Sequence, residues 1–271
     1  MANRKAVRVY RWRSPSQHGN FGDEITLPII ERLFGLKAVA SPMPAADLLG
    51  AGSILGGWAK MSPSRQLLQR LLARRSRDLH VWGTGLMLPG EIKWPQRLHV
   101  HAVRGRLTAS NLGVDSVLAD PGILANLLIE GPKHKQWSVG LVPHHADTDL
   151  VTRSVPIPSG WRVIDPEWPV DEVLANIAGC ELLVSSSLHG LIAADSFGIP
   201  CVRLSTSRSI YGASDFKFQD YASSRSAEFN EPLTYNQIVE LGLDQVATTA
   251  TKAGREIEAW QKELIDVFPF R

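Results

Sequence analysis

Short apolar runs in this chain repeatedly end in glycine or small hydroxyl residues and then enter amphipathic stretches. The pattern restarts after a polar segment at 130–136. Strand–turn–helix alternation of this kind calls for parallel strands joined by crossover helices, because a tight hairpin cannot connect parallel neighbours. In the first half, the spacing predicts strands at 5–12, 47–49, 78–82 and 98–103. Helices are predicted over 23–34, 65–77, 105–112 and 120–129. Asp23 is the expected capping acid of the first helix, Gly35 its stop, and Pro28 fits only near its start. The second half predicts strands at 137–142, 161–164, 181–184 and 200–204, with helices over 170–178 and 188–197. The tail from 233 to 271 reads as mostly helical, with Ile257, Trp260, Leu264 and Ile265 at helical spacing. The expected architecture is α/β, with two Rossmann-like lobes at 1–130 and 131–250, each carrying a parallel sheet. A final helix at 251–271 is expected to cross back onto the first lobe. Ligands of such folds bind beyond the carboxyl ends of the strands, and here in the cleft between lobes.

Composition removes several classes of function. The only cysteines among 271 residues are Cys180 and Cys201, which excludes a disulfide scaffold or a cysteine zinc site. Lys and Arg total 29 against 27 for Asp and Glu, and a net charge of +2 gives no whole-chain case for a nucleic-acid partner. Apolar stretches fall short of the roughly 20 residues a membrane span needs. The basic segment 1–13 lacks the apolar core of a secretory signal, so a cytoplasmic location is expected. Arg65, Arg70, Arg74, Arg75 and Arg77 lie on the helix that carries Leu67, Leu68, Leu71 and Leu72. That stripe keeps open a peripheral contact with the inner membrane face, against the plainer reading of leucines packed on the sheet and solvated arginines.

Glycines cluster at three predicted strand ends: Gly19-Asn20-Phe21-Gly22-Asp23-Glu24, Gly50-Ala51-Gly52-Ser53 and Gly83-Thr84-Gly85. Glycine lets the backbone approach a ligand and aim amides at an anion. None of the three completes a phosphate loop or a dinucleotide fingerprint, so each alone reads as a turn and the set as a ligand-facing rim. The sharpest feature is Ser185-Ser186-Ser187-Leu188-His189-Gly190. Three hydroxyls end an apolar strand, a histidine falls in the first turn of the next helix, and Gly190 reads as leaving space beside the ring. The plainer alternative is that the serines only cap the helix. Arg104, at another strand-to-helix junction, suits a bidentate grip on carboxylate or phosphate, with Arg106 competing for the role. Lys217 lies between Phe216 and Phe218, either as an anion grip or as a surface lysine whose stem covers the rings. His144 and His145 beside Asp147 are not expected to hold a metal, since adjacent residues of a strand face opposite ways. His99 and His101 share a strand face, but no carboxylate partner is evident in the sequence. No Gly-x-Ser-x-Gly elbow occurs, which lowers the case for an acyl hydrolase.

These segments, taken in order with Val103-Arg104, Asp120-Pro121 and Val142-Pro143-His144, resemble the polysaccharide pyruvyl transferase family over roughly 21–221. Lys217-Phe218-Gln219-Asp220-Tyr221 in a short chain is similar to the exopolysaccharide-ketalase members. The resemblance implies a GT-B-like fold, phosphoenolpyruvate as donor substrate with no further cofactor, and a sugar or lipid-linked oligosaccharide as acceptor. Arg104 and His189 match the family's donor-binding arginine and catalytic histidine, and Lys217 matches a family lysine. The donor site is then expected at Arg104, Ser186, Ser187, Leu188, His189, Gly190 and Lys217. The acceptor is expected against Asn20, Asp23, Glu24, Gly52, Ser53, Gly83 and Thr84 of the first lobe. Histidine's unperturbed pKa of about 6.5 suits His189 to act as general acid and then base. A helix N-terminus disfavours imidazolium while a bound dianion favours it, so full protonation is expected only with donor bound. Asp23 is expected either to deprotonate a sugar hydroxyl or merely to cap its helix. Two other readings remain: a nucleotide-sugar glycosyltransferase of the same fold, and a non-catalytic module that binds anionic glycans.

Overall fold

Alternation of buried and half-buried residues opens the first sheet, with Val7 and Val9 turned into the core on β1 (Val7–Tyr10). Five strands join it: β2 (Ala38–Ser41), β3 (Leu48–Leu49), β4 (Leu79–Trp82), β5 (Leu98–Val103) and β6 (Val117–Leu118). Their order is β2-β1-β3-β4-β5-β6, and every pair is parallel. The second sheet holds β7 (Trp137–Val142), β8 (Trp161–Val163), β9 (Cys180–Ser185) and β10 (Cys201–Arg203). It is parallel throughout, in the order β10-β9-β7-β8. These sheets come from a computed structural model that describes residues 6–12, 19–57, 62–64, 66–68, 78–90, 92, 94, 97–132, 134–154, 156–205, 215–225, 231–254 and 256–271. The α/β class with two parallel sheets, of six and four strands, is the one the alternation predicts.

Several helices differ from the sequence expectation. The predicted helix over 23–34 is two, α1 (Phe21–Glu24) and α2 (Thr26–Phe34). Its cap is Asn20, whose side chain accepts from the Gly22 amide at 3.0 Å, so Asp23 is released from capping. Pro28 falls in the first turn of α2, where a missing amide hydrogen costs nothing. After α3 (Arg106–Leu112) and β6, the expected α-helix at 120–129 is a 3-10 helix over Pro121–Leu127. Asp120 caps it through Oδ1, which accepts from the Gly122 amide at 2.9 Å. Next come α4 (Thr148–Ser154), which the sequence reading lacks, and α5 (Val170–Ala178). α6 (Leu188–Ser196) is buried on every side, which explains its apolar and non-amphipathic sequence. α7 (Phe216–Ser224) was also not expected as a helix; α8 (Tyr235–Thr249) and α9 (Glu256–Asp266) follow. Of the basic helix at 65–77, residues 65 and 69–77 lie outside the described residues. Leu67 and Leu68 are 60% and 57% exposed, so they do not pack on the sheet as that reading required. No described helix is long and apolar enough to cross a membrane.

One buried cluster draws on both sheets, joining Val9, Leu48 and Trp82 to Val142, Leu183 and Ile192. The tail completes it: Trp82 Nε1 donates to the Leu264 carbonyl at 2.9 Å, and Phe34 stacks on Phe268 at 3.8 Å. α7, which follows the second sheet in sequence, lies against α3 beside the first. The buried Asp220 carboxylate accepts from Arg104 Nε at 3.0 Å, from the Thr108 amide at 2.8 Å and from Thr108 Oγ1 at 2.6 Å. Gly105 permits the approach, since a Cβ there would overlap the Asp220 carbonyl. Arg104 and Asp220 are both fully buried, and removing one member of such a pair strands the other charge. Arg104→Ala is therefore expected to lower stability by about 3–5 kcal/mol, read as a fall in the urea midpoint at unchanged slope.

Candidate functional site

The end of β9 is held by its own hydroxyls. Ser185 Oγ lies 2.9 Å from the carbonyls of Val142 and Ser187 and accepts from the Ser187 amide at 3.0 Å. Ser186 Oγ accepts from the His144 amide at 2.7 Å, which ties down the loop after β7. Ser187 occupies the N-cap position of α6, but its side chain makes no capping bond, so the plain capping role is not what these serines perform. Gly190 makes room for Ser185 Oγ and Val142 rather than for the histidine. Leu188 turns into the core at 3% exposure and presents no side chain to a ligand.

Room for His189 comes from α1. A Cβ on Gly22 would overlap the imidazole at Nδ1, and Phe21 meets the ring edge-on at 6.4 Å. On the other side, His189 Nε2 lies 3.7 Å from Asp120 Oδ2, and neither atom has a hydrogen-bond partner among the described residues. The carboxylate thus caps the 3-10 helix with one oxygen and faces the imidazole with the other. Sequence reasoning placed Asp120 only as a helix opener; its signal was an acid at the end of a strand, one of the ordered motifs.

Asp23 stands beside Gly52, whose left-handed backbone (φ 108) and missing Cβ leave space for the carboxylate. Burial pushes the Asp23 carboxyl up to about 6, against the pull of His189 and Lys217 and with a further push from Asp120. Burial lowers Lys217 to about 8, helped by Arg104 and Arg203 and opposed by Asp23. Tyr10, ending β1, is raised by burial and by Asp23. Burial also lowers His144, to about 3, with Lys217 and His145 adding to the effect. An imidazole, a carboxylate and an ammonium therefore share one electrostatic neighbourhood.

Arg104 is placed differently from the open fork that the sequence suggested. Its guanidinium is fully buried: Nε bonds Asp220, one terminal nitrogen donates to Ser53 Oγ at 2.6 Å, and the other to the Leu86 carbonyl at 2.5 Å. A buried cation must be paired, and Gly85 yields the space for this one. Ser53 is thus held by Arg104, and its neighbour Gly52 adjoins Asp23. The other expected acceptor residues serve the backbone or one another. Asn20 caps α1, Glu24 pairs with Arg11, and Gly83 (φ 88) packs on Pro121. Thr84, fully buried, donates to the Gly52 carbonyl at 2.7 Å and so fixes the loop beside Asp23. The two histidines of β5 do have partners: His99 reaches Asp78 at 2.9 Å, and His101 reaches His80 at 2.9 Å. No group of three or more metal-ligating side chains is arranged for an ion among the described residues.

The cluster suits acid–base chemistry on an anionic substrate, since carboxyl and ammonium are both drawn toward neutrality. A carboxyl raised on folding adds stability below its unfolded pKa and loses it as pH rises through about 6. Asp23→Asn removes that loss, so the variant is expected to gain on the native chain between pH 4 and 8, by about 3 kcal/mol. Urea unfolding across that range measures the difference.

The sequence profile of the family described as polysaccharide pyruvyl transferase matches residues 7–208. The succinoglycan biosynthesis protein ExoV of Rhizobium meliloti is 31% identical over 225 residues, 80% of this chain and 65% of ExoV. The matched region therefore spans just under two thirds of that relative. An uncharacterised mimivirus protein, L143, is 28% identical over 200 residues, 67% of each chain. A functionally uncharacterised Klebsiella pneumoniae protein of known structure superposes with a TM-score of 0.40 at 13% identity, covering 85% of this chain and 92% of its own. By the extent of the profile match and the motifs that carry it, this chain belongs to the polysaccharide pyruvyl transferase family.

Proposed function

We propose that this chain transfers the pyruvyl group of phosphoenolpyruvate onto two hydroxyls of one sugar, forming a ketal during exopolysaccharide biosynthesis. The family and the likeness to ExoV support that role. The observation that carries the chemistry is the imidazole of His189 facing the Asp120 carboxylate, with Asp23 and Lys217 in the same electrostatic field. In this reading the lobes adopt a GT-B-like arrangement, with donor and acceptor meeting in the cleft between them. The reaction runs in the cytoplasm, on a sugar or a lipid-linked oligosaccharide presented at the inner membrane face.

Lys217 holds the donor's negative charge, and Arg104 adds to the field through Ser53. His189 delivers a proton to the methylene carbon, which leaves the neighbouring carbon electron-poor. A sugar hydroxyl attacks that carbon and gives its proton to Asp23, whose elevated pKa makes it a competent base near neutrality. The second hydroxyl then forms the other C–O bond as the C–O bond to phosphate breaks. Its proton leaves with the phosphate, so one pyruvyl ketal and one inorganic phosphate result. Asp120 Oδ2 faces the imidazole Nε2 and stands where it can orient the ring toward the donor.

Incubation with phosphoenolpyruvate and a panel of synthetic and lipid-linked glycosides tests the reading, by mass spectrometry for the added group and assay of freed phosphate. Stabilisation against heat by nucleotide sugars and not by phosphoenolpyruvate would overturn it in favour of a glycosyltransferase. His189→Ala is expected to lower turnover by roughly 100-fold or more, with circular dichroism unchanged. Asp120→Asn keeps the 3-10 cap but removes the charge. Its turnover is expected to fall roughly tenfold in the phosphate-release assay, with little change in melting temperature.

A further inference from the structure

One large aromatic side chain remains in the open beside this cluster. Trp12, two residues past the end of β1, keeps 37% of its surface exposed. Its ring lies 5.8 Å from that of His145, inclined at 45°, so an aromatic pair joins the end of β1 in the first sheet to the loop after β7 in the second. Three links set the pair next to the reacting groups. Arg11, its sequence neighbour, pairs with Glu24, which adjoins Asp23 in α1. Tyr10 on the other side of Arg11 lies within the field of Asp23. His145 lies within the field of Lys217.

Leaving an indole in water forgoes the stabilisation of burying it, and Trp12 is not absorbed by any of the three apolar cores. A hexose ring has the surface that fits such a place. One face presents C–H bonds, which pack on an indole, and its rim presents hydroxyls, which need polar partners. His145, in contact with the indole, and Asp23, next to the Glu24 that pairs with Arg11, offer such partners, and burial lowers the His145 pKa, which favours a neutral ring able to give or take a hydrogen bond. The flat indole moves about only two side-chain torsions, so it orders a ligand at low entropic cost.

We propose that Trp12, with His145 behind it, is a stacking platform for the hexose ring of the acceptor and points two ring hydroxyls at Asp23. The proposal rests on the pyruvyl-transfer reading for why a sugar should lie there, but it is tested by binding alone. Saturation-transfer NMR with methyl β-glucoside, methyl β-galactoside and methyl β-mannoside, using adenosine and uridine as controls, compares the native chain with Trp12→Ala and Trp12→Phe. The expected result is saturation of the ring protons of at least one hexoside, weakened roughly tenfold in Trp12→Ala and kept in Trp12→Phe. Equal signals in Trp12→Ala, no hexoside signal from the native chain, or a Trp12-dependent signal from the nucleosides alone would each overturn it. Trp12-dependent hexoside binding in a chain that never consumes phosphoenolpyruvate would leave the platform standing and overturn the transfer reading instead.

Discussion

The buried pair of Arg104 and Asp220 is the contact on which the site depends. Two charges withdrawn from water are tolerable only when their polar atoms find partners, and here Thr108 bonds both carboxylate oxygens while Ser53 and Leu86 each take a terminal nitrogen of the guanidinium. With Thr108 of α3, the pair fastens α7 to α3 and to the end of β5, and so holds the helix that carries Lys217 one turn earlier. The neighbouring residue on α7 performs the matching task on the other side. Tyr221 donates to Asp195 Oδ2 of α6 at 2.7 Å, and Arg225 reaches the same oxygen at 2.7 Å. Adjacent helical positions diverge by about 100°, so one short helix is clamped on two faces, by α3 beside the first sheet and by α6 beside the second.

The same economy governs His189. A fully buried helix has no freedom to roll, and Ser185 and Ser186 lock the turn that enters it. Gly22 then admits the imidazole against the backbone of α1, and Asp120 sits at the far side of the ring. The imidazole is thus positioned by both halves of the chain at once. A change in how α1 meets α6 alters its surroundings directly.

Much of this was legible in the residues. Parallel strands covered on both faces read as apolar runs, and Cys180–Ser185 and Trp137–Val142 were found for that reason. β2, Ala-Val-Ala-Ser, and the two-residue β6 escaped because edge strands carry little apolar signal. The serine–histidine run was legible because it sits where a strand hands over to a helix. Arg104 drew attention for the same reason, but its partner lies 116 residues away and no local pattern announces it. Gly22 and Asp120 show the limit most clearly. One was read as part of a rim and the other as a helix opener, and each acquires its relation to His189 only through tertiary packing.

Charge balance gives the proposed reaction an internal order. With Asp23 near 6 and Lys217 near 8, the empty site at neutral pH holds a carboxylate and an ammonium that stabilise each other. A donor anion arriving beside Lys217 draws on that positive charge and, left uncompensated, would push the Asp23 carboxyl further up and spoil it as a base. Arg104 acts on the cation: together with burial it draws the Lys217 ammonium toward neutrality, from a place held by Asp220 and Ser53. A guanidinium paired with Asp220 and fully buried thus still contributes to the potential at Lys217. Its burial, which removes it as a gripping fork, is what makes it effective at close range in a medium of low polarity.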